Sequence, residues 1–135
     1  MPRRVLETAL YVDDLEAAER FYGGLIGLER VLRAGDRHVF FRCGPGLLLL
    51  FNPAETRLPA RHGPPVPVHG ATGPGHMCFA ASAAELDGWR ARFEAAGVEV
   101  EADFRWPNGA RSIYVRDPAG NSVEFAEPAL WDYPD

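Results

Sequence analysis

The stretch Gly75-His76-Met77-Cys78-Phe79-Ala80-Ala81-Ser82 decides how this chain is read. Taken as a strand, its period of two sets His76, Cys78 and Ala80 on one face and Met77, Phe79 and Ala81 on the other. A face turned to a core normally carries large apolar groups. A row of small residues led by a histidine reads instead as the wall of a cavity, with His76 projecting into it. A histidine bonded to a backbone carbonyl would look the same in one segment alone. What separates the two readings is that the pattern occurs twice.

Downstream of this stretch, Ser82-Ala83-Ala84-Glu85 has the spacing of a capping box. Leu86, Trp89, Phe93 and Ala96 then recur at helical intervals, and Gly97 closes the helix. Val98 to Glu101, Arg111 to Arg116 and Asn121 to Ala126 read as three strands, the last pair joined by the turn Asp117-Pro118-Ala119-Gly120. The N-terminal half has the same order. Val5 to Val12 alternates, with Leu6, Thr8, Leu10 and Val12 on one face and Glu7, Ala9 and Tyr11 on the other. Asp13-Asp14-Leu15-Glu16 starts a helix with an acidic cap and a Glu three residues on. Leu15, Ala18, Tyr22 and Leu25 form its apolar stripe, and Gly23, Gly24 and Gly27 end it. Strands follow at Leu28 to Leu32, His38 to Arg42 and Leu47 to Phe51. The expected organisation is one α+β domain over residues 1–135, built from two β-α-β-β-β units that must pack together, since neither can bury its helix face alone. Unit one runs from about 4 to 53, a connector from 54 to 74, unit two from 75 to 128, and a tail from 129 to 135. Around the connector, residues 52–75 hold six of the 12 prolines and four of the 14 glycines and read as irregular; His62 and His69 within it read as exposed, with His69, seven residues before His76, able to swing over the site.

Composition narrows the function. The 135 residues suffice for one packed core, and no apolar run is long enough to span a bilayer. The formal net charge of −5, with scattered arginines, argues against a nucleic-acid or anionic-membrane surface. All 14 basic residues are arginine, which excludes Schiff-base and P-loop lysine chemistry. Cys43 and Cys78 have no metal or redox spacing, and Cys78 reads as a small buried hydrophobe. Met-Pro-Arg-Arg lacks a signal-peptide core, and the expected location is the cytoplasm.

Duplication makes Glu7 and His76 equivalent positions on the first strand of each unit, both facing away from the helix. On the last strand Val123 and Phe125 must cover the helix, which turns Ser122, Glu124 and Ala126 the other way. One imidazole and two carboxylates from rigid strands make a facial set for a divalent cation, with open positions for substrate.

These repeated units, the Phe21-Tyr22 and Leu25-Ile26-Gly27-Leu28 pieces, and the hairpin Asp117-Pro118-Ala119-Gly120-Asn121-Ser122-Val123-Glu124-Phe125 resemble the vicinal oxygen chelate superfamily. That group includes glyoxalase I, extradiol dioxygenases and the bleomycin-binding proteins. The resemblance covers essentially the whole chain and implies that the two units form a half-barrel sheet with a shared cavity. It implies metal ligation by Glu7, His76 and Glu124, with Glu7 standing where a histidine is common and Leu48 about where glyoxalase I has a further ligand. Glu7 and Glu124 are the candidate catalytic carboxylates, Glu7 serving as general base if it detaches. The implied cofactor is a divalent ion among Fe, Mn, Zn, Ni and Mg. Tyr11, His38, Phe40, Leu48, Cys78, Trp106, Ser112 and Tyr114 are the candidate substrate contacts. Arg111 falls on the helix side and reads as structural. A homodimer is implied, with a small-molecule substrate. The expected function is a metal-dependent lyase, isomerase or dioxygenase-like enzyme; the alternative is a metal-free binding protein of the bleomycin-resistance type.

Overall fold

The computed structural model describes residues 1–135. The chain divides into two compact units, Met1–Pro74 and Gly75–Asp135. Each holds a four-stranded mixed sheet, and the two sheets share one topology.

In the first unit β1 (Glu7–Tyr11), β2 (Glu29–Ala34), β3 (His38–Cys43) and β4 (Gly46–Phe51) assemble in the order β1-β4-β3-β2. β1 runs parallel to β4, with Glu7 opposite Leu47, Ala9 opposite Leu49 and Tyr11 opposite Phe51. β3 pairs antiparallel with β4, and His38 and Phe40 fall opposite Phe51 and Leu49. Leu10, Val39, Phe41, Leu48 and Leu50 therefore share the other face, where they are buried with Leu15, Ala18 and Tyr22 of the helix. The register places Leu48 in the core, 1% exposed, and not on the face of Glu7. Leu49 holds the position assigned to Leu48 from the sequence. The run Leu47-Leu48-Leu49-Leu50 is apolar at every position, so it carries no alternation from which its phase could be read.

The first helix, α1 (Leu15–Glu19), is capped by Asp14, whose side chain accepts from the Ala17 amide at 3.0 Å. That shifts the cap one residue from the box expected between Asp13 and Glu16. The helix does not stop at Gly23-Gly24. It widens into a π-turn over Arg20–Leu25, in which the Ile26 amide reaches back five residues to the Phe21 carbonyl. Widening brings the adjacent Phe21 and Tyr22 both into the core and leaves Leu25 half-buried. Gly27, at φ +89°, is the residue that turns the chain out of the helix.

After β4 the connector opens with the short α2 (Pro53–Thr56), capped by Asn52, and is otherwise irregular. The His69 amide donates to the Thr56 carbonyl at 3.0 Å, which ties the far end of the connector back to unit one.

The second unit contains β5 (His76–Ala80), α3 (Ala83–Ala95), β6 (Ala102–Arg105), β7 (Arg111–Arg116) and β8 (Ser122–Ala126), ordered β5-β8-β7-β6. The Ser82–Glu85 capping box forms, with both reciprocal bonds present. Leu86 and Phe93 are buried and Trp89 packs on Phe125 at 4.8 Å, whereas Ala96 is exposed. The strand expected over Val98 to Glu101 begins later, at Ala102. The cause is the helix end: the Val98 amide bonds the Phe93 carbonyl and the Gly97 amide bonds that of Glu94, so Val98 is used in closing the helix. Arg111 faces the helix side as expected, paired with Asp87 of α3 and with Asp103. Of the expected tail, Pro128–Trp131 forms a 3-10 turn.

No helix is long and apolar enough to cross a membrane.

Candidate functional site

The face of the second sheet turned away from α3 carries the chemistry. β5 pairs parallel with β8, setting His76 opposite Ser122 and Cys78 opposite Glu124, and β7 sets Tyr114 opposite Glu124 on its other side. Strand pairing alone thus delivers His76, Cys78, Ser112, Tyr114 and Glu124 to one face. The Asp117–Asn121 turn fixes where that face begins. Asp117 Oδ1 accepts from the Ala119 and Asn121 amides, and Gly120 takes the φ of +90° that the turn requires. Asn121 Oδ1 then accepts from the Gly75 amide at 2.7 Å, while the Ser122 amide donates to the Gly75 carbonyl. Gly75 is held on both sides, directly before His76.

Glu124 is 5% exposed. Its Oε2 accepts from the Ser112 hydroxyl at 2.6 Å, and Ser112 Oγ in turn accepts from Trp106 Nε1 at 2.8 Å. The other oxygen, Oε1, stands 3.3 Å from His76 Nε2, and His76 Nδ1 lies 3.0 Å from the Ser122 carbonyl. A carbonyl only accepts, so Nδ1 carries a proton and donates. In the neutral ring Nε2 is then a lone pair facing a carboxylate oxygen, and two acceptors so close call for a proton or a cation between them. This donor set fits a divalent ion: one imidazole nitrogen and one carboxylate, each held from behind by a hydrogen bond.

Two neighbours stay protonated at neutral pH. Burial, reinforced by the Glu124 carboxylate, pushes the Tyr114 phenol up to about 12. The Cys78 thiol is likewise pushed up to about 12, by desolvation first and Glu124 second. Cys78 is not the buried hydrophobe expected; it lies with His76 and Ala80 on the open face of this unit. As a thiol in the metal-free protein it is a poor nucleophile. Tyr114 stacks between the His76 ring at 6.2 Å and Phe104 at 5.8 Å.

The equivalent face of unit one has another character. A cleft of about 470 Å³ is lined by Glu7, His38, Phe40, Leu49, Phe51 and His69, among others. His38 stacks on Phe40 at 4.3 Å, Phe51 meets the His69 ring edge-on at 4.6 Å, and Tyr11 hydroxyl lies 2.7 Å from His69 Nδ1. By register Leu49 is the counterpart of Glu124, Phe40 of Tyr114 and His38 of Ser112. The duplicated scaffold therefore carries a carboxylate in one unit and an aromatic slot in the other. Burial, and Arg37 after it, lower the pKa of His38, which is neutral at pH 7.

Of the three expected ligands, the structure brings His76 and Glu124 together in unit two and places Glu7 on the cleft face of unit one. No group of three His, Cys, Asp or Glu side chains comes together. Ser112, Tyr114 and Cys78 surround Glu124, and Trp106 acts on it through Ser112. His38 and Phe40 line the unit-one slot, Tyr11 touches its Phe51 and His69, and Leu48 does not take part. Arg37, Leu49 and Phe51 were not singled out as slot residues from the sequence, and His69 was named only as a connector residue able to swing over the site. Leu49 and Phe51 lie in phase with Glu7 once the β1–β4 register is known, while His69 reaches the slot through an irregular connector.

Residues 4–125 match the profile of the Glyoxalase/Bleomycin resistance protein/Dioxygenase superfamily, and the chain belongs to that family. Its fold is that of a lactoylglutathione lyase from Agrobacterium tumefaciens, with 52% sequence identity and a TM-score of 0.93 over 99% of this chain and 100% of the other. An integron cassette protein from the mobile metagenome of the Halifax Harbour sewage outfall shares the fold at 22% identity and a TM-score of 0.73, over 93% of this chain and 99% of the other. So does a glyoxalase/bleomycin resistance protein/dioxygenase from Nocardioides, at 24% identity and a TM-score of 0.72, covering 94% and 84%. No protein of curated function matches the sequence.

Proposed function

We propose that the protein is a divalent-metal-dependent lyase of the glyoxalase type, acting on a small substrate that presents two adjacent oxygens. The observation that carries this reading is the His76–Glu124 pair, in which Nε2 and Oε1 face each other at 3.3 Å with Nδ1 engaged by Ser122. The 52% identity to a lactoylglutathione lyase gives methylglyoxal with glutathione, the pair that combines into lactoylglutathione, as the first substrates to test. His76 and Glu124 would hold the ion, and Glu7 is the third ligand that the family resemblance implies, in a protein that the same resemblance makes a homodimer. When bound, the cation supplies Lewis acidity toward the substrate oxygens.

The chain's own residues do the rest. Ser112 fixes the Glu124 carboxylate in one orientation, so that its second oxygen stays directed at His76. Tyr114 keeps its phenolic proton and can donate to a substrate oxygen. Glu7 forms no ion pair in unit one, so its carboxylate is free to accept a proton, the general-base role that the resemblance implies for it. The test is thioester formation from methylglyoxal and glutathione by protein reloaded with Mn, Ni or Zn. Turnover lost on chelation and restored by one of these ions is expected. Turnover indifferent to chelator would remove the proposal.

A metal-free binding role is the second reading, favoured by the aromatic slot around Phe40 and Phe51. It requires that the protein purify without stoichiometric metal and bind planar ligands unchanged when Glu124 is replaced.

A further inference from the structure

The unit-one slot does not end at His38. Arg37, His38 and Val66 also line a second cleft, of about 430 Å³, between the start of β3 and the connector. Its floor is apolar, formed by Leu58, Pro59 and Val66, of which Leu58 and Val66 are 48% and 50% exposed. Its rim carries Arg37, Arg61, His62 and Glu55.

Neither arginine at that rim has a carboxylate partner. Arg37 donates only to the Glu55 main-chain carbonyl, at 3.4 Å, and Arg61 has no ion pair or hydrogen bond. In a chain of net charge −5 the rim is locally cationic: two arginines against one glutamate leave one positive charge. One excess charge suits a monoanion better than a phosphate dianion. His38 adds a directional group. Its Nδ1 is sealed from solvent with no partner, and no hydrogen bond engages Nε2. In the neutral ring the sealed nitrogen is best left aprotic, which puts the N–H on Nε2, where an incoming oxygen can accept from it.

We propose that these two clefts form one elongated site for an amphipathic monocarboxylate. Its carboxylate is held by Arg37 and Arg61, its apolar stem lies on Leu58 and Val66, and its far end reaches the Phe40–Phe51 slot. This goes beyond the lyase proposal and does not depend on it, because it is a statement about binding by unit one.

The probes are 4-phenylbutyrate and its uncharged analogue 4-phenylbutyramide, titrated calorimetrically into the full-length protein. The acid is expected to bind about tenfold tighter than the amide, because a charge-assisted bond is replaced by a neutral one. Arg37→Gln and Arg61→Gln should each lower the affinity for the acid by about fivefold and leave the amide unchanged. Circular dichroism of both variants should match the parent, since neither arginine holds a carboxylate in the fold. Equal binding of acid and amide, no binding of either, or a preference for the acid that survives in the double variant would overturn the proposal. Thioester formation measured on the same samples reports separately on the lyase reading.

Discussion

Replacing Ser112 by Ala removes the bond that orients Glu124, and its effect can be worked out from the geometry. The hydroxyl donates to Oε2 over 2.6 Å, with Ser112 0% and Glu124 5% exposed, so water cannot replace it. Hydrogen bonds to charged groups contribute about 1.5–3 kcal/mol, and a buried one lies toward the upper part of that range. The same change strips Trp106 Nε1 of its acceptor at 2.8 Å, though that indole is only half-buried. Metal-free protein should lose about 3 kcal/mol of unfolding free energy in urea. Metal affinity should fall by about 10–100-fold, the usual consequence of losing the group that orients a ligating carboxylate. Trp106→Phe is the control, because it leaves the Ser112–Glu124 bond in place. It should cost about 1 kcal/mol and change metal affinity by less than about threefold. The assays are urea unfolding of chelator-treated protein and calorimetric titration with whichever of Mn, Ni or Zn binds the parent most tightly. A Ser112→Ala variant of reduced stability but unchanged metal affinity would refute the reasoning, since Glu124 would then be a structural acid.

Further outcomes follow from other parts of the molecule. Asp103 is held at about 2, below its ordinary 3.8, by hydrogen bonds from Arg111 and Arg90. A depressed carboxyl stabilises the fold above pH 3.8 and loses that contribution as pH falls through about 2, so Asp103→Asn should flatten the acid-unfolding curve in that window. Solvent screening at this surface network reduces the effect to about 1 kcal/mol. Thr56 Oγ1 is buried with no partner, so Thr56→Val, which removes a desolvated hydroxyl at equal volume, should raise stability by about 1 kcal/mol; a lower melting temperature would contradict this. Asn121→Ala frees Gly75 and opens the Asp117 turn, and should cost about 2–3 kcal/mol in urea unfolding. The Cys78 thiol, pushed up to about 12, should react with iodoacetamide at pH 8 at least about tenfold slower than free cysteine, and faster in Glu124→Gln.

The second unit was the more legible half because its segments carry strong local signals. Ser82 and Glu85 are a capping box, Asp117-Pro118-Ala119-Gly120 is a turn with its glycine at positive φ, and β8 alternates cleanly. Those features set the phase of His76 and Glu124 without any knowledge of the fold. Unit one hid its phase in Leu47-Leu48-Leu49-Leu50, where every residue is leucine and only the pairing with β1 decides which ones face Glu7. Gly23-Gly24 misled for a related reason. Glycine is a helix breaker by propensity, but the π-turn places both within a helix whose packing of Phe21 and Tyr22 outweighs that cost. Arg61 was beyond reach, and His69 could be named only as able to swing over the site, because an irregular connector has no periodicity and its side chains are placed by bonds such as that from the His69 amide to Thr56. The support behind Glu124 was half visible: Ser112 and Trp106 were both singled out as substrate contacts, and the structure makes Trp106 a hydrogen-bond donor to Ser112.

The central claim is that His76 and Glu124 are two arms of a cation site. Elemental analysis of protein purified without chelator, alongside His76→Ala and Glu124→Ala, tests it most directly. Close to one divalent ion per site in the parent, lost from both variants while each retains the parent's circular dichroism, is the predicted result. A folded parent that carries no metal and takes none up from Mn, Ni or Zn, or variants that keep their metal, would contradict it.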